Sequence, residues 1–303
     1  MVVGVTRSAD ELPTVALTEV ATLDVAAPSG LVIDDEGALC VVADDELTLR
    51  RYGSDGRPRG RVTLFAGDAP LPEEPAARKR RKPDLEALAR LPGGRLLALG
   101  SGSTAARRRG ALVEPDGAVR VVALGPLYDA LAARLPELNI EGATVAGGVL
   151  LLFQRGNGAG AASAVVRLTL AAVEEALARG APLDASMIDA VAVVELGALA
   201  GCALGFTDAT PLDRSDGRVL FAAAAEGGGS TYDDGAVTGS VLGLLEPDGR
   251  ARLIARLAPV AKIEGIALAP DGRRLYAVAD PDDPRARSPL YEATLDAVAL
   301  RPE

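Results

Sequence analysis

The chain has 303 residues, a formal net charge of −10 and no histidine. Without histidine there is no Ser-His-Asp triad, no imidazole general base and no Cys/His zinc spacing, and the acidic balance repels nucleic-acid phosphates and anionic membranes. Hydrophobic residues reach 49% but aromatics only 3%, with no Trp, so the core must be built of Val, Leu and Ala.

No apolar run approaches the ~20 residues that span a bilayer. The opening residues, Met1 to Arg7, are too short and too polar for a signal peptide, which makes the cytoplasm the default location unless a trimmed chain hides a secreted protein. The two cysteines, Cys40 and Cys202, sit in apolar stretches of different repeats and read as buried free thiols.

The first patterned stretch, Thr14 to Leu23, reads as a strand. Four short strands follow (Gly30 to Ile33, Leu39 to Ala43, Leu47 to Tyr52, Val62 to Phe65), separated by Asp- and Gly-rich turns such as Asp34-Asp35-Glu36-Gly37 and Ser54-Asp55-Gly56. Four strands in about 40 residues, joined by tight turns, make one antiparallel blade. The plan recurs from Leu85 to Leu124, from Ile140 to Leu196, from Ala203 to Leu257 and from Ile263 to Leu295. Two insertions interrupt it. Leu127 to Leu135 and Ala171 to Arg179 place apolar residues at helical spacing, and Gly180 and Pro182 stop the second.

The last unit lacks a fourth strand and the N-terminus has one to spare. A propeller must close or expose a sheet edge, so the N-terminal strand is expected to complete the fifth blade. The fold predicted is all-β: a single five-bladed β-propeller over residues 1–303, of four-stranded antiparallel blades, with two short helical insertions. Six blades are the alternative.

A short polar motif marks the start of each innermost strand. Aligned on its central residue, it gives Ser29, Glu86, Glu141, Asp208 and Glu264, at intervals of about 55 to 67 residues. In a blade the start of the first strand and the end of the second emerge on one face. That face gathers Asp84, Glu86, Asn139, Glu141, Asp208, Lys262 and Glu264 with Arg155 and Asn157, and polar residues at the mouth of a closed β structure mark a ligand site. Four carboxylates around one axis call for neutralisation. A hard cation such as Ca²⁺ prefers oxygen ligands of this kind, so Glu86, Glu141, Asp208 and Glu264 form the candidate metal set. The competing reading is that each caps backbone N–H groups or pairs with Lys262 or Arg155. Asp84, Asn139, Arg155, Asn157 and Lys262 are the candidate ligand contacts, Arg155 and Asn157 for an anionic group. Coupled carboxylates also have raised pKa values, which makes Glu141 and Glu86 candidate acid–base groups. The basic run Arg78 to Lys82 reads either as a solvated loop or as a segment whose last members lean over the mouth.

The motifs Asp84-Leu85-Glu86-Ala87-Leu88, Asn139-Ile140-Glu141-Gly142-Ala143 and Lys262-Ile263-Glu264-Gly265-Ile266, with the hairpin from Asp271 to Tyr276, resemble those of bacterial phytase-like (esterase-like) β-propellers. They are similar also to a related uncharacterised bacterial propeller family. The resemblance implies a calcium-binding acidic channel, with Glu86, Glu141 and Glu264 facing the metal, and hydrolysis of phosphoesters or esters. The first unit departs from it, with Ser29 in place of an acid, and the Lys and Arg cluster expected of a phytase is sparse. Three functions follow: a channel mouth binding a cation or a small polar or anionic ligand without catalysis, a calcium-dependent hydrolase acting on phosphoesters before lactones or esters, and a protein-interaction platform.

Overall fold

A computed structural model of the chain describes residues 2–5, 8–157, 161–213, 216–227, 237–283 and 285–295. Five sheets are arranged as blades, each beginning with an inner strand: Pro28–Ile33, Leu85–Arg90, Ile140–Ala146, Cys202–Pro211 and Lys262–Leu268. Within each blade the second, third and fourth strands follow outward as antiparallel neighbours. The Asp-Gly turns act as their sequence suggests. In the fifth blade the Asp271 carboxylate accepts from the N–H groups of Arg273 and Arg274, both at 2.9 Å, and fixes the hairpin between the first two strands.

The N-terminus closes the ring. Thr18–Thr22 pairs antiparallel with Pro289–Thr294 as the outer strand of the fifth blade, setting Thr22 against Pro289 and Glu19 against Tyr291. The rest of the expected strand does something else. Thr14–Ala16 adds in parallel to the outer edge of the fourth blade at Arg256 to Ala258. Val2–Gly4 does the same at the edge of the third, beside Val193 to Glu195. Two outer edges that would otherwise offer unpaired backbone groups are thus covered by the chain itself.

The long interval between the third and fourth repeats hides no sixth blade. It holds the helix Leu170–Arg179, ended by Gly180 in the left-handed conformation, inserted between the third and fourth strands of the third blade. The other expected helix spans Gly125–Ala132 and buries Leu127, Tyr128 and Leu131. A further helix covers the basic run, Pro75–Arg81: Glu74 caps it by accepting from the N–H groups of Ala76 and Ala77, and Pro75 supplies the pre-set first turn. No helix among the described residues is long and apolar enough to cross a membrane.

The core lies in the seams between blades rather than within any one of them. Five apolar clusters fill the five seams, including one of Leu23, Leu31, Tyr52, Tyr276, Val278 and Leu290 where the fifth blade meets the first. Val, Leu and Ala fill them, as the scarcity of aromatics requires. Three of the four phenylalanines concentrate in one seam, where Phe153, Phe206 and Phe221 stack edge to face at 5.2 and 5.0 Å between the third and fourth blades. Each such pair adds about 0.5–1.5 kcal/mol beyond its burial. Cys40 is buried in the seam of the first and second blades; Cys202, at the start of an inner strand, is only half-buried, and both are free thiols.

Candidate binding site at the channel mouth

The repeated motif is a β-bulge. In the second, third and fifth blades the register between inner and second strand skips one residue, and the residues skipped are Glu86, Glu141 and Glu264. A bulged residue is left out of the ladder and its side chain is re-aimed, which is why a carboxylate stands there. In the fourth blade the bulge falls on Thr207, one residue before the acid chosen by sequence alignment. Thr207 is fully buried and donates from its hydroxyl to the Ile263 carbonyl at 2.7 Å. Asp208 therefore matches the small residue of the other repeats, not the glutamate. That residue is small because inner strands meet there: a Cβ on Gly30 would lie 2.7 Å from the Leu88 nitrogen, and one on Gly265 2.9 Å from the Leu31 Cβ.

Two charged groups occupy the mouth. Arg155, which follows the second strand of the third blade, lies 2.6 Å from Glu141, 2.7 Å from Glu226 and 3.4 Å from Glu264. Lys262 lies 3.0 Å from Glu226, 3.2 Å from Glu264 and 3.1 Å from Asp282. Asn139 donates to the second Glu141 oxygen at 2.6 Å. Two cations face more carboxylates than they can neutralise, and all but the exposed Asp282 are largely removed from water. Burial, with the neighbouring Glu264 charge adding, pushes Glu141 up to about 8 in spite of Arg155. Burial likewise pushes Asp280, at the end of the fifth blade's second strand, up to about 7.

The second group joins the first and second blades. Asp84, in a left-handed conformation at φ 53°, accepts from Ser101 at 2.6 Å and lies 2.7 Å from Arg107 and 3.0 Å from Lys82. Lys82 also pairs with Asp44. Burial opposes its charge, yet Asp44, Asp84 and Glu86 hold Lys82 above the ordinary lysine range. One carboxylate oxygen from each of Asp44, Asp84 and Glu86 lies within 4.8 Å of the others, a spacing that could hold a metal ion. Glu86 itself has no hydrogen bond or ion pair among the described residues. Burial, then the charges of Asp84, Asp44 and Glu141, raise its carboxyl well above the ordinary range.

Asp208 lies deeper. It is fully buried, and its Oδ2 accepts from the Ile266 N–H at 2.8 Å and from the Leu31 N–H at 3.4 Å. Leu31 belongs to the first blade, which is not a neighbour of the fourth, so the carboxyl spans the channel. Oδ1 has no partner among the described residues, and burial raises the group well above the usual carboxylate range.

The sequence-derived set thus divides. Glu141, Glu264, Arg155, Lys262 and Asn139 form one network; Glu86 and Asp84 belong to the other; Asp208 stands apart below both. Asn157 follows Arg155 on the same loop, with its side-chain oxygen buried and no hydrogen bond to either group. Lys82 does lean over the mouth, whereas the residues before it form the helix. Asp44 escaped notice because its neighbour Asp45 makes the pair look like a turn signal. Its signal was positional: like Arg155 and Ser101, it directly follows a second strand.

A family model, that of a family of unknown function designated DUF6929, matches residues 24–295. No curated protein matches the sequence. Among solved structures the chain is similar to the WD40 repeats of RRP9 (10% identity, TM-score 0.45, covering 94% of this chain and 100% of that one). It is similar also to a gluconolactonase from Xanthomonas campestris (12%, 0.44, 92% and 89%). A third is virginiamycin B lyase from Staphylococcus aureus (13%, 0.39, 95% and 76%). At such identities and scores none of the three carries a function to this chain.

Proposed function

The chain belongs to the DUF6929 family, whose function is unknown, and we propose that it is a propeller whose acidic channel mouth binds a divalent cation, calcium by preference, or a small polar ligand held through one. The observation that carries this is the group Asp44, Asp84 and Glu86, with one carboxylate oxygen of each within 4.8 Å of the others. Carboxylate oxygens alone suit a hard cation, and Glu86 has no other partner among the described residues. Of the four acids first read as metal-facing, Glu86 is the one this reading keeps at the seat. Glu141 and Glu264 already share Arg155 and Lys262, so they frame the mouth and set its charge. A cation entering the seat displaces the Lys82 ammonium from between Asp44 and Asp84. The test is thermal unfolding with and without millimolar calcium. Binding to the folded state alone raises Tm by mass action, and the rise disappears in Glu86→Gln. A wild-type Tm indifferent to calcium, magnesium and manganese rules the cation out.

A second reading, a calcium-dependent hydrolase of phosphoesters or, after them, lactones and esters, is favoured by one feature. The Glu86 carboxyl, one of the three at the seat and otherwise unpaired among the described residues, is placed to act as acid or base, whereas Glu141 is held by Arg155 and Asn139. A bound cation would supply polarisation of the scissile group. Turnover of aryl phosphates or lactones that vanishes in Glu86→Gln, with folding intact, supports it; no turnover leaves the binding reading alone. The interaction-platform reading gains nothing from the surface: the exposed large apolar residues among those described are Val20, Val121 and Val260, on separate elements.

A further inference from the structure

The end of the channel opposite the acidic mouth holds a cavity of about 390 Å³. Every blade contributes to its wall: Val32 from the first inner strand, Arg90 from the second, Thr144 from the third, Thr210 from the fourth and Ala267 from the fifth. The volume is that of a small-molecule site. Along the fourth inner strand Asp208 immediately precedes Ala209, which lines the cavity.

Two hydroxyls face this space with bonding capacity to spare. Thr144 is 4% exposed and makes no side-chain hydrogen bond among the described residues. Its hydroxyl is thus open to a partner in the cavity that the residue lines. Thr210 is 7% exposed; its oxygen accepts from the Leu268 N–H at 3.3 Å, which leaves its O–H to donate. The surrounding wall is apolar, with Val145 and Leu212 beside those already named. The one cation of the lining, Arg90, is paired with Asp35 and donates to the Ile33 carbonyl at 3.4 Å, and the exposed Asp213 adds negative charge. The lining therefore offers no net positive charge to an anion.

We propose that this cavity is a second binding site, for a compact neutral molecule that presents an acceptor oxygen to Thr144 and Thr210 and an apolar body to the wall. Nothing in it depends on the acidic mouth, and occupation needs no metal.

The test uses the full chain and three probes of one shape: cyclohexanol, methylcyclohexane and cyclohexanecarboxylate. Binding is followed by ligand-observed NMR and by thermal unfolding. Cyclohexanol binds saturably, methylcyclohexane more weakly, and the carboxylate least. Thr144→Val, which keeps the side-chain shape and removes the hydroxyl, weakens cyclohexanol by roughly three- to tenfold, the value of one neutral hydrogen bond, and leaves methylcyclohexane unchanged. Ala267→Leu, which fills the space, abolishes both, and its melting curve reports whether it has folded. Glu86→Gln leaves all three probes as in wild type, which separates this site from the mouth. Three results overturn the proposal: no saturable binding of any probe, which makes the cavity a water-filled channel end; cyclohexanol binding indifferent to Thr144→Val; or the carboxylate binding tightest.

Discussion

Arg155 and Glu141 lie 2.6 Å apart at the channel mouth, each less than a tenth exposed in its side chain. The pair ties the residue after a second strand to the bulge of the inner strand beside it, and Arg155 extends the tie to Glu226 and Glu264 in the next two blades. Removing one partner of a buried ion pair leaves the other uncompensated, at about 3–5 kcal/mol. Arg155→Met, which leaves Glu226 and Glu264 without their shared guanidinium, is accordingly expected to lose stability in that range at neutral pH, read from denaturant midpoints. Glu141→Gln, which keeps the shape and relieves negative surplus, loses less. Equal losses in the two would mean that Arg155 serves packing rather than charge.

The same network makes stability depend on pH in a stated direction. Glu141 is pushed up to about 8 and Asp280 to about 7, mainly by burial, while in the unfolded chain carboxyls titrate near about 4. Between those limits the folded protein keeps protons that the unfolded chain has released. The contribution is thus fully present below pH about 4, falls as pH rises through the folded values, and is gone above pH about 8. Unfolding free energies measured from pH 5 to 8 will show a smaller decline in Glu141→Gln than in wild type. Identical slopes would count against a raised Glu141.

How much of this could be read from the sequence follows from what each feature depends on. Blade count and closure rest on local strand and turn chemistry repeated along the chain, so Asp271 and Thr18 to Thr22 announce their places. The glutamates were visible because a bulge needs a polar residue followed by a small one, as in Glu264-Gly265. Asp208 imitated that signal while sitting one residue off, since Thr207 took the bulge by bonding to Ile263. Pairings across blades left no such mark. Nothing local in Asp44 or Lys82 says that they will meet, and the cavity at Thr144 depends on five strand ends converging.

Asp208 offers a test of a neutral carboxyl. Its Oδ2 accepts from two backbone N–H groups while Oδ1 has no partner among the described residues. Burial raises the group well above the usual carboxylate range. Asp208→Asn keeps the accepting oxygen and is expected to stay within about 1 kcal/mol of wild type at pH 7. Asp208→Leu leaves the Ile266 and Leu31 N–H groups unpaired, at about 1–3 kcal/mol apiece. An Asn variant as unstable as the Leu variant would show that the carboxyl is ionised in the fold.

Lys82 makes the cation reading quantitative. Its ammonium sits 3.0 Å from Asp84 and pairs with Asp44, where it competes for the oxygens of the proposed seat. Lys82→Met removes the competitor and leaves Arg107, on Asp84, as the remaining cation of the three carboxylates. Without calcium the variant melts below wild type; with millimolar calcium it recovers more than wild type gains, by the mass-action relation. Calorimetric titration checks the same point, as tighter calcium binding in Lys82→Met. Weaker binding there would mean that Lys82 shapes the seat instead of occupying it.

The closure of the ring is tested at Gly56, in the turn between the outer strands of the first blade. Its φ of +75° is a left-handed conformation, and an added Cβ would stand 2.2 Å from the Cβ of Ala21 in the closing strand. Gly37 has the same φ with nothing within 4 Å of the added atom. Gly37→Ala therefore carries the conformational cost alone, about 1–2 kcal/mol. Gly56→Ala adds the overpacking cost, about 1–3 kcal/mol more. The excess belongs to the contact between the first blade and the N-terminal strand, so Ala21→Gly in the Gly56→Ala background recovers it less the cost of a strand glycine, about 0.5–1 kcal/mol, while the same change only adds that cost to Gly37→Ala. Limited proteolysis supplies a second readout, with Gly56→Ala cleaved sooner near Thr18 to Thr22. Equal destabilisation by the two glycine variants would show that the first blade does not brace the closing strand.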